Sequence, residues 1–294
     1  MKNIFGTPCD LISRLRETYI VPPFSVLDAN NINWKKRKRK WKKLGIQNEM
    51  GRNTNVYHSK DSKGIEYTDP ISRKMNQSFE HPSIFDPVLC EIIYHWFSKE
   101  TDSVLDPFAG GAVRGIVASV MKRKYTGIEV RPKQVKTNKQ QIVNLSLNPL
   151  PTWIVGDANK ILSKFENNQF DLVFTCPPYG NLEVYNNIEG ELSNMSHKDF
   201  LLTYDSIIYQ SVQKMKPGAF AIFTVGEYRD KTGNYVGFVP HTIKAFAKMG
   251  CGFYNEIILY TSLGTAALRA RQGMKNKKVC KVHQNVLVFK KEDL

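Results

Sequence analysis

The stretch SVLDPFAGG, residues 103–111, is an apolar strand that stops at an acid, a proline and two glycines. Working outward from it, three more short apolar runs follow: YTGIEV (125–130), TWIVGD (152–157) and FDLVFT (170–175). The stretches between them, 111–123, 132–146 and 159–167, are long enough for helices. That alternation predicts a parallel sheet with helices on both faces. Ahead of it, IFDPVLCEIIYHWFSKE (84–100) repeats apolar residues at helical spacing and predicts a helix. Downstream, HKDFLLTYDSIIYQSVQKM and HTIKAFAKMG read as helices, and GAFAIFTVGE, FYNEIILYTS and KVHQNVLVFKK as strands. The last two strands are joined by a basic loop, 265–281, with no helix signal of its own. Residues 1–80 differ in character: a polar, basic extension ahead of a regular domain over 81–294.

Composition narrows the function classes. The chain of 294 residues carries a formal charge of +15, which favours a polyanionic partner, nucleic acid ahead of a membrane surface. No apolar run approaches the ~20 residues that span a bilayer, and the start lacks the apolar core of a signal peptide. The five cysteines are scattered without a CxxC pair, which argues against a zinc site or disulfide framework and for a reducing, cytoplasmic setting. No metal site is expected.

In open α/β sheets, ligands sit beyond the C-terminal ends of the strands. Here those ends carry Asp106, then Glu129, then Gly156-Asp157. Small residues after Asp106 let backbone approach a ligand, and an acid about twenty residues further on suits ribose hydroxyls. Asp157 is placed to accept from an exocyclic amine. Two acids and a glycine turn favour a nucleoside without a pyrophosphate, S-adenosylmethionine more than NAD. Any one of these acids could equally be a helix N-cap.

The fourth strand ends in Cys176-Pro177-Pro178-Tyr179. Prolines cannot donate to a sheet ladder, so the strand stops and leaves in a stiff, extended shape. Asp106-Pro107-Phe108-Ala109-Gly110-Gly111 followed by this element resembles the amino-methyltransferases of DNA, which methylate adenine N6 or cytosine N4. The resemblance covers roughly residues 76–290. It implies a Rossmann-like, seven-stranded, mostly parallel sheet with an antiparallel last strand, helices on both faces. It implies S-adenosylmethionine as cofactor, with Asp106, Phe108 and Gly110 bordering its methionine part, Glu129 on the ribose and Asp157 on the adenine ring. SFEHPSIFDP, with Phe85, resembles the family's additional cofactor segment. In the family, the first side chain of the Pro-Pro-Tyr element and the next carbonyl accept hydrogen bonds from the target amine. The aromatic residue gives a face to a base swung out of the helix.

Two positions depart from the family. Its glycine motif commonly ends in glycine where Ala112 stands. The catalytic quartet usually begins with Asp, Asn or Ser where Cys176 stands, and a thiol is a weak acceptor. Either the Pro177 carbonyl takes most of the load or a thiolate forms, which is disfavoured unless its pKa is lowered.

For the DNA partner the basic segments are the candidates. KKRKRKWKK (35–43) holds eight Lys or Arg and no acid, with Trp34, Trp41 and Leu44 on one helical stripe. It is either a docked amphipathic helix with a solvated basic face or a DNA contact through Lys38 and Arg39. The 265–281 loop adds Arg269, Arg271, Lys275, Lys277 and Lys278 on the rim where substrate enters. The same fold acting on RNA or a protein glutamine, and a non-catalytic nucleic-acid-binding protein, are the alternatives. If the basic segments grip phosphates, log K for duplex DNA plotted against log salt has a steep slope. Neutralising Arg269 and Arg271 flattens it by about 0.9 per lost contact, and an unchanged slope removes them from the interface.

Overall fold

A computed structural model describes residues 9–46, 85–178, 192, 195–230, 232–261 and 266–292. They form one eight-stranded sheet in the order β1-β7-β8-β6-β5-β2-β3-β4. The strands are β1 (Val26–Asp28), β2 (Ser103–Asp106), β3 (Lys124–Glu129), β4 (Thr152–Val155), β5 (Phe170–Thr175), β6 (Met215–Val225), β7 (Cys251–Tyr260) and β8 (His283–Lys291). Only β8 runs against the others, pairing antiparallel with β6 and β7. The mostly parallel α/β architecture and the reversed last strand agree with expectation. The strand number does not: β1 adds an eighth strand, parallel to β7 at the sheet edge.

The first helices, α1 (Cys9–Tyr19) and α2 (Ile32–Lys43), flank β1. The domain then proceeds through α3 (Pro87–Phe97), α4 (Val113–Val120), α5 (Pro132–Gln141), α6 (Ala158–Leu162), α7 (His197–Lys214) and α8 (Phe238–Lys248). A further helix, α9 (Ala266–Met274), corrects the expectation of a helix-free 265–281 loop. It buries no residue, so no apolar stripe in the sequence announced it.

Two apolar cores sandwich the sheet. One holds α3 and α4 with Trp34, Trp41, Tyr125 and Trp153. The other holds α7 and α8 with Phe200, Tyr204, Phe238 and Phe246. The starts are built by capping. Asp86 accepts from Val88 N at the head of α3, with Pro87 at the first turn, and Ser196 accepts from Asp199 N at the head of α7.

The basic helix α2 is docked. Trp34 and Trp41 are buried, and their indole N–H groups donate to Asp86 (3.2 Å) and Glu91 (2.7 Å) of the α3 segment. Arg37 forks onto both oxygens of Glu91 at 2.5 Å, and Lys38 lies 2.8 Å from Asp86. At the other end of α3, His95 and Trp96 bond the carbonyls of Thr18 and Tyr19. The basic stretch therefore packs into the same core as the sheet, and the boundary read near residue 80 lies outside the described residues.

Glycine at 115 is a packing choice. A Cβ there would stand 2.6 Å from the Trp153 ring and 3.0 Å from that of Tyr125. Alanine favours a helix over glycine by about 1 kcal/mol, while overpacking costs about 1–3 kcal/mol. Two buried rings cannot step aside, so Gly115→Ala loses about 1 kcal/mol of stability in urea unfolding. A gain would show that the rings shift freely.

Candidate active site

Strand order reverses between β2 and β5: the chain passes from β2 out to β3 and β4, then returns to β5 on the other side. The ends of β2 and β5 face each other at this switch point, the usual ligand crevice of such sheets. Asp106 ends β2 with no exposed surface. Its Oδ2 accepts from Arg114 Nε (2.6 Å) and Tyr125 OH (2.7 Å), and its Oδ1 from Thr175 Oγ1 (2.6 Å) and Phe108 N (3.3 Å). Thr175 is the last residue of β5, so one carboxylate ties together β2, β3, β5 and α4.

Arg114 is the residue that sequence reasoning missed. It is 4 % exposed, and its Nη2 donates to the carbonyls of Phe108 (2.8 Å) and Ala109 (2.9 Å). Burial alone would lower its pKa. The Asp106 carboxylate beside it outweighs that and holds the guanidinium protonated well above the ordinary arginine range. A signal existed: an arginine inside VRGIVASV, a helix whose other residues are apolar or small, needs a buried acid.

The glycine turn is pinned from several directions. Gly110 has φ +54°, the left-handed region that favours glycine. Its carbonyl accepts from the buried Asn138 of α5 at 2.8 Å, and Ala109 N donates to Ile128 O. Ala112, where the family has glycine, has φ −74° and ψ −13° and begins α4. That is ordinary helical backbone, so a methyl is accommodated without strain.

The expected ligand residues fall along one edge of the sheet. Glu129 ends β3, 7 % exposed, with its Oε1 accepting from the amide and Nε (2.7 Å) of Arg131. Asp157 follows β4, half-buried, capping α6 through Asn159 N. Phe108 is half-buried with its ring 6.1 Å from that of Tyr204, and Phe85 lies under the Arg114 guanidinium at 4.5 Å. Asp106 stands at the expected strand end, but its bonds run inward to the network. Its position orders the turn.

Cys176 is half-buried, Pro177 buried and Pro178 half-buried at the end of β5. Tyr179 lies outside the described residues. Among the nucleic-acid candidates, Lys38 is paired with Asp86 while Arg39 is exposed. Arg269, Arg271, Lys275 and Lys277 are exposed, and Lys278 is half-buried. Among the described residues no His, Cys, Asp or Glu cluster could hold a metal ion, and no helix is long and apolar enough to cross a membrane.

The donor set fits a nucleoside sulfonium. Two acids, Glu129 and Asp157, follow adjacent parallel strands, suiting ribose hydroxyls and an exocyclic amine. Beside them the turn offers room, since a Cβ at Gly111 would meet no atom within 4 Å.

The chain is similar to several known proteins. The family described as "DNA methylase" matches residues 17–140, and the one described as "Conserved hypothetical protein 95" matches residues 88–237. The chain is 32 % identical over 104 residues to a tRNA (guanine(10)-N2)-dimethyltransferase of Pyrococcus abyssi, covering 35 % of this chain and 30 % of the relative. It is 27 % identical over 136 residues to the type II methyltransferase M.BglII of Bacillus subtilis, covering 46 % and 34 %. The matches thus span about a third of the length of these relatives. The crystal structure of TrmN from Thermus thermophilus superposes with a TM-score of 0.48 at 15 % identity, over 76 % of this chain and 55 % of that one.

Removing one member of the buried ion pair leaves the other charge stranded, which costs about 3–5 kcal/mol. Asp106→Asn is therefore expected to lower stability by that amount in urea denaturation. A change below about 1 kcal/mol would show that water reaches Arg114.

Proposed function

We propose that this chain, which belongs to the DNA amino-methyltransferase family and to the family described as Conserved hypothetical protein 95 and takes S-adenosylmethionine as cofactor, methylates an exocyclic amine of a DNA base. Adenine N6 is the first choice and cytosine N4 the second. The observation that carries the reading is the Thr175–Asp106 bond of 2.6 Å. It fastens the Cys176-Pro177-Pro178 strand end beside the glycine turn at the switch point, so an amine on one side and a methyl donor on the other would meet there.

Bound S-adenosylmethionine supplies an electrophilic methyl group. Glu129 accepts from the ribose hydroxyls and Asp157 from the adenine amine, while Phe85 and Phe108 border the ligand and the Gly110 turn gives backbone access. Cys176 Sγ and the Pro177 carbonyl accept from the target amine, which keeps its lone pair free to attack. The two prolines hold that carbonyl's direction, because their rings leave the backbone little freedom. Tyr179 supplies the stacking face, a role that rests on its place in the motif. Arg39, Arg269, Arg271, Lys275, Lys277 and Lys278 meet phosphates. Lys38, paired with Asp86, contributes charge only at the margin of such a contact. A cytoplasmic setting suits Cys90, Cys176, Cys251 and Cys280, none of which is in a disulfide.

A second reading is favoured by one finding. The Pyrococcus abyssi relative is named for the N2 of a guanine in tRNA, another exocyclic amine, so RNA is the alternative substrate. Incubation with methyl-labelled cofactor and either DNA or tRNA, followed by mass spectrometry of the nucleosides, separates the two. N6-methyladenine in DNA is the expected product. N2-methylguanine in tRNA would transfer the reading to RNA, and no methylated nucleoside in either would overturn it.

The site residues have their own test. Glu129→Ala weakens cofactor binding by about 1.5–3 kcal/mol in calorimetry, the range for hydrogen bonds to a charged group. Serine is a better acceptor than a thiol, so Cys176→Ser keeps or raises turnover. A Cys176→Ser protein that binds cofactor and substrate but transfers no methyl would point to a nucleophilic cysteine instead.

A further inference from the structure

Beyond the end of β6, residues 226–230 and 232–237 pair as the two arms of a hairpin that no motif above accounts for. Arg229 bridges to Tyr235, Asp230 N donates to Asn234 O (2.9 Å), and Val236 N donates to Tyr228 O (3.1 Å). The tip is tied by Asp230, whose Oδ1 accepts from Thr232 N, Thr232 Oγ1 and Asn234 N. Its foot is tied by Glu227, which accepts from Gly237 N and Val239 N at the head of α8. The hairpin is therefore preorganised.

Its exposed side carries an aromatic and a cation stacked together. The Arg229 guanidinium lies over the Tyr235 ring at 4.0 Å from the centroid and is fixed by a 2.8 Å bond from Nη1 to Gly233 O. Tyr235 remains 48 % exposed, so the guanidinium backs the ring while much of its surface faces solvent. Aromatic residues that size are normally left exposed singly; here one is held by a cation that a planar base also attracts.

The neighbourhood is basic. Gly233, at φ +92°, lets Lys278 approach until its Cε and Nζ stand 2.6 Å from where a Cβ would be. Lys275 and Lys277 lie exposed on the same segment. That segment leads into β8, whose first residues pair with the end of β6 at Val225 and Asn285. β6 is in turn the parallel neighbour of β5, with Phe223 beside Thr175. The hairpin and the lysine segment thus stand next to the Cys176 strand end, on the same edge of the sheet. Tyr228, at the foot, has a buried hydroxyl with no hydrogen-bond partner among the described residues. Burial pushes its pKa up to about 12, so it stays protonated and can donate.

We propose that this hairpin is a nucleotide-binding element: Tyr235, backed by Arg229, stacks on a base flanking the target, and Lys275, Lys277 and Lys278 hold the adjoining phosphates. The inference rests on the nucleic-acid reading above and adds the surface that grips the strand outside the catalytic crevice.

The test measures binding of a labelled mixed-sequence DNA, single- and double-stranded, and of tRNA, alongside calorimetric titration with S-adenosylmethionine. Tyr235→Ala should weaken nucleic-acid binding roughly five- to hundredfold, the loss of one stacked base. Tyr235→Trp should restore it, and cofactor affinity should be unchanged in both. Arg229→Lys keeps the charge but loses the planar plate, so it should weaken binding less than Tyr235→Ala and at every salt concentration. Wild-type affinity in Tyr235→Ala overturns the proposal and leaves the methyltransferase reading standing. A loss that Tyr235→Trp does not recover also overturns it. A wild-type protein that binds no nucleic acid overturns both.

Discussion

A single buried carboxylate organises this molecule. Asp106 ties the last residue of β5, the tyrosine of β3, the arginine of α4 and the turn after its own strand into one hub. Two ionised groups inside a core are tolerated only when each is fully bonded. Here that condition dictates the surroundings. Gly115 and Gly127 clear space around Tyr125, whose hydroxyl would be 2.7 Å from a Cβ at 127. Arg114 Nη2 donates to the carbonyls of Phe108 and Ala109, which fixes the carbonyls of the glycine turn. The position of the crevice follows from satisfying one acid.

The docking of α2 obeys the same rule on a second acid pair. Asp86 and Glu91 face inward from α3, and the partners that satisfy them come from the basic helix. An amphipathic helix normally docks through an apolar stripe, but this one has two tryptophans and finds the rest of its attachment in charge. The lysines left outward, Lys35, Lys36, Lys40, Lys42 and Lys43, are solvated and keep their charge available to a polyanion. A single helix thus serves as both brace and basic surface.

Much of this was legible in the residues. The strands at 103–106, 124–129, 152–155 and 170–175 were readable because buried parallel strands are short apolar runs bounded by turn residues. The edge strand Val26–Asp28 was not, since three residues just after a Pro-Pro pair are too few to show a period, and pairing with β7 makes them a strand. Helix α9 escaped for want of a buried face. At the site, the acids could be placed at their strand ends, but not their orientation. Asp106 and Glu129 read alike in the sequence, yet one is consumed by Arg114, Tyr125 and Thr175 and the other accepts from its near neighbour Arg131. The hairpin beyond β6 carried a turn signature in Asp230, Gly233 and Asn234 that lies outside the methylation motifs.

The pairing of β1 with β7 has a consequence for how the chain acquires its fold. Val26 lies beside Ile258, so the earliest strand closes against one of the last to be made. Closing so wide a loop is entropically slow. Until it closes, the β7 edge at Ile258–Tyr260 lacks its partner, the kind of surface through which unfinished chains associate. The tryptophans of α2 bond to the α3 segment, 52 and 50 residues along the chain, and hold β1 beside the sheet through a far shorter loop. The segment from β1 through α2 thus joins the edge of the sheet to the α3 side of the core.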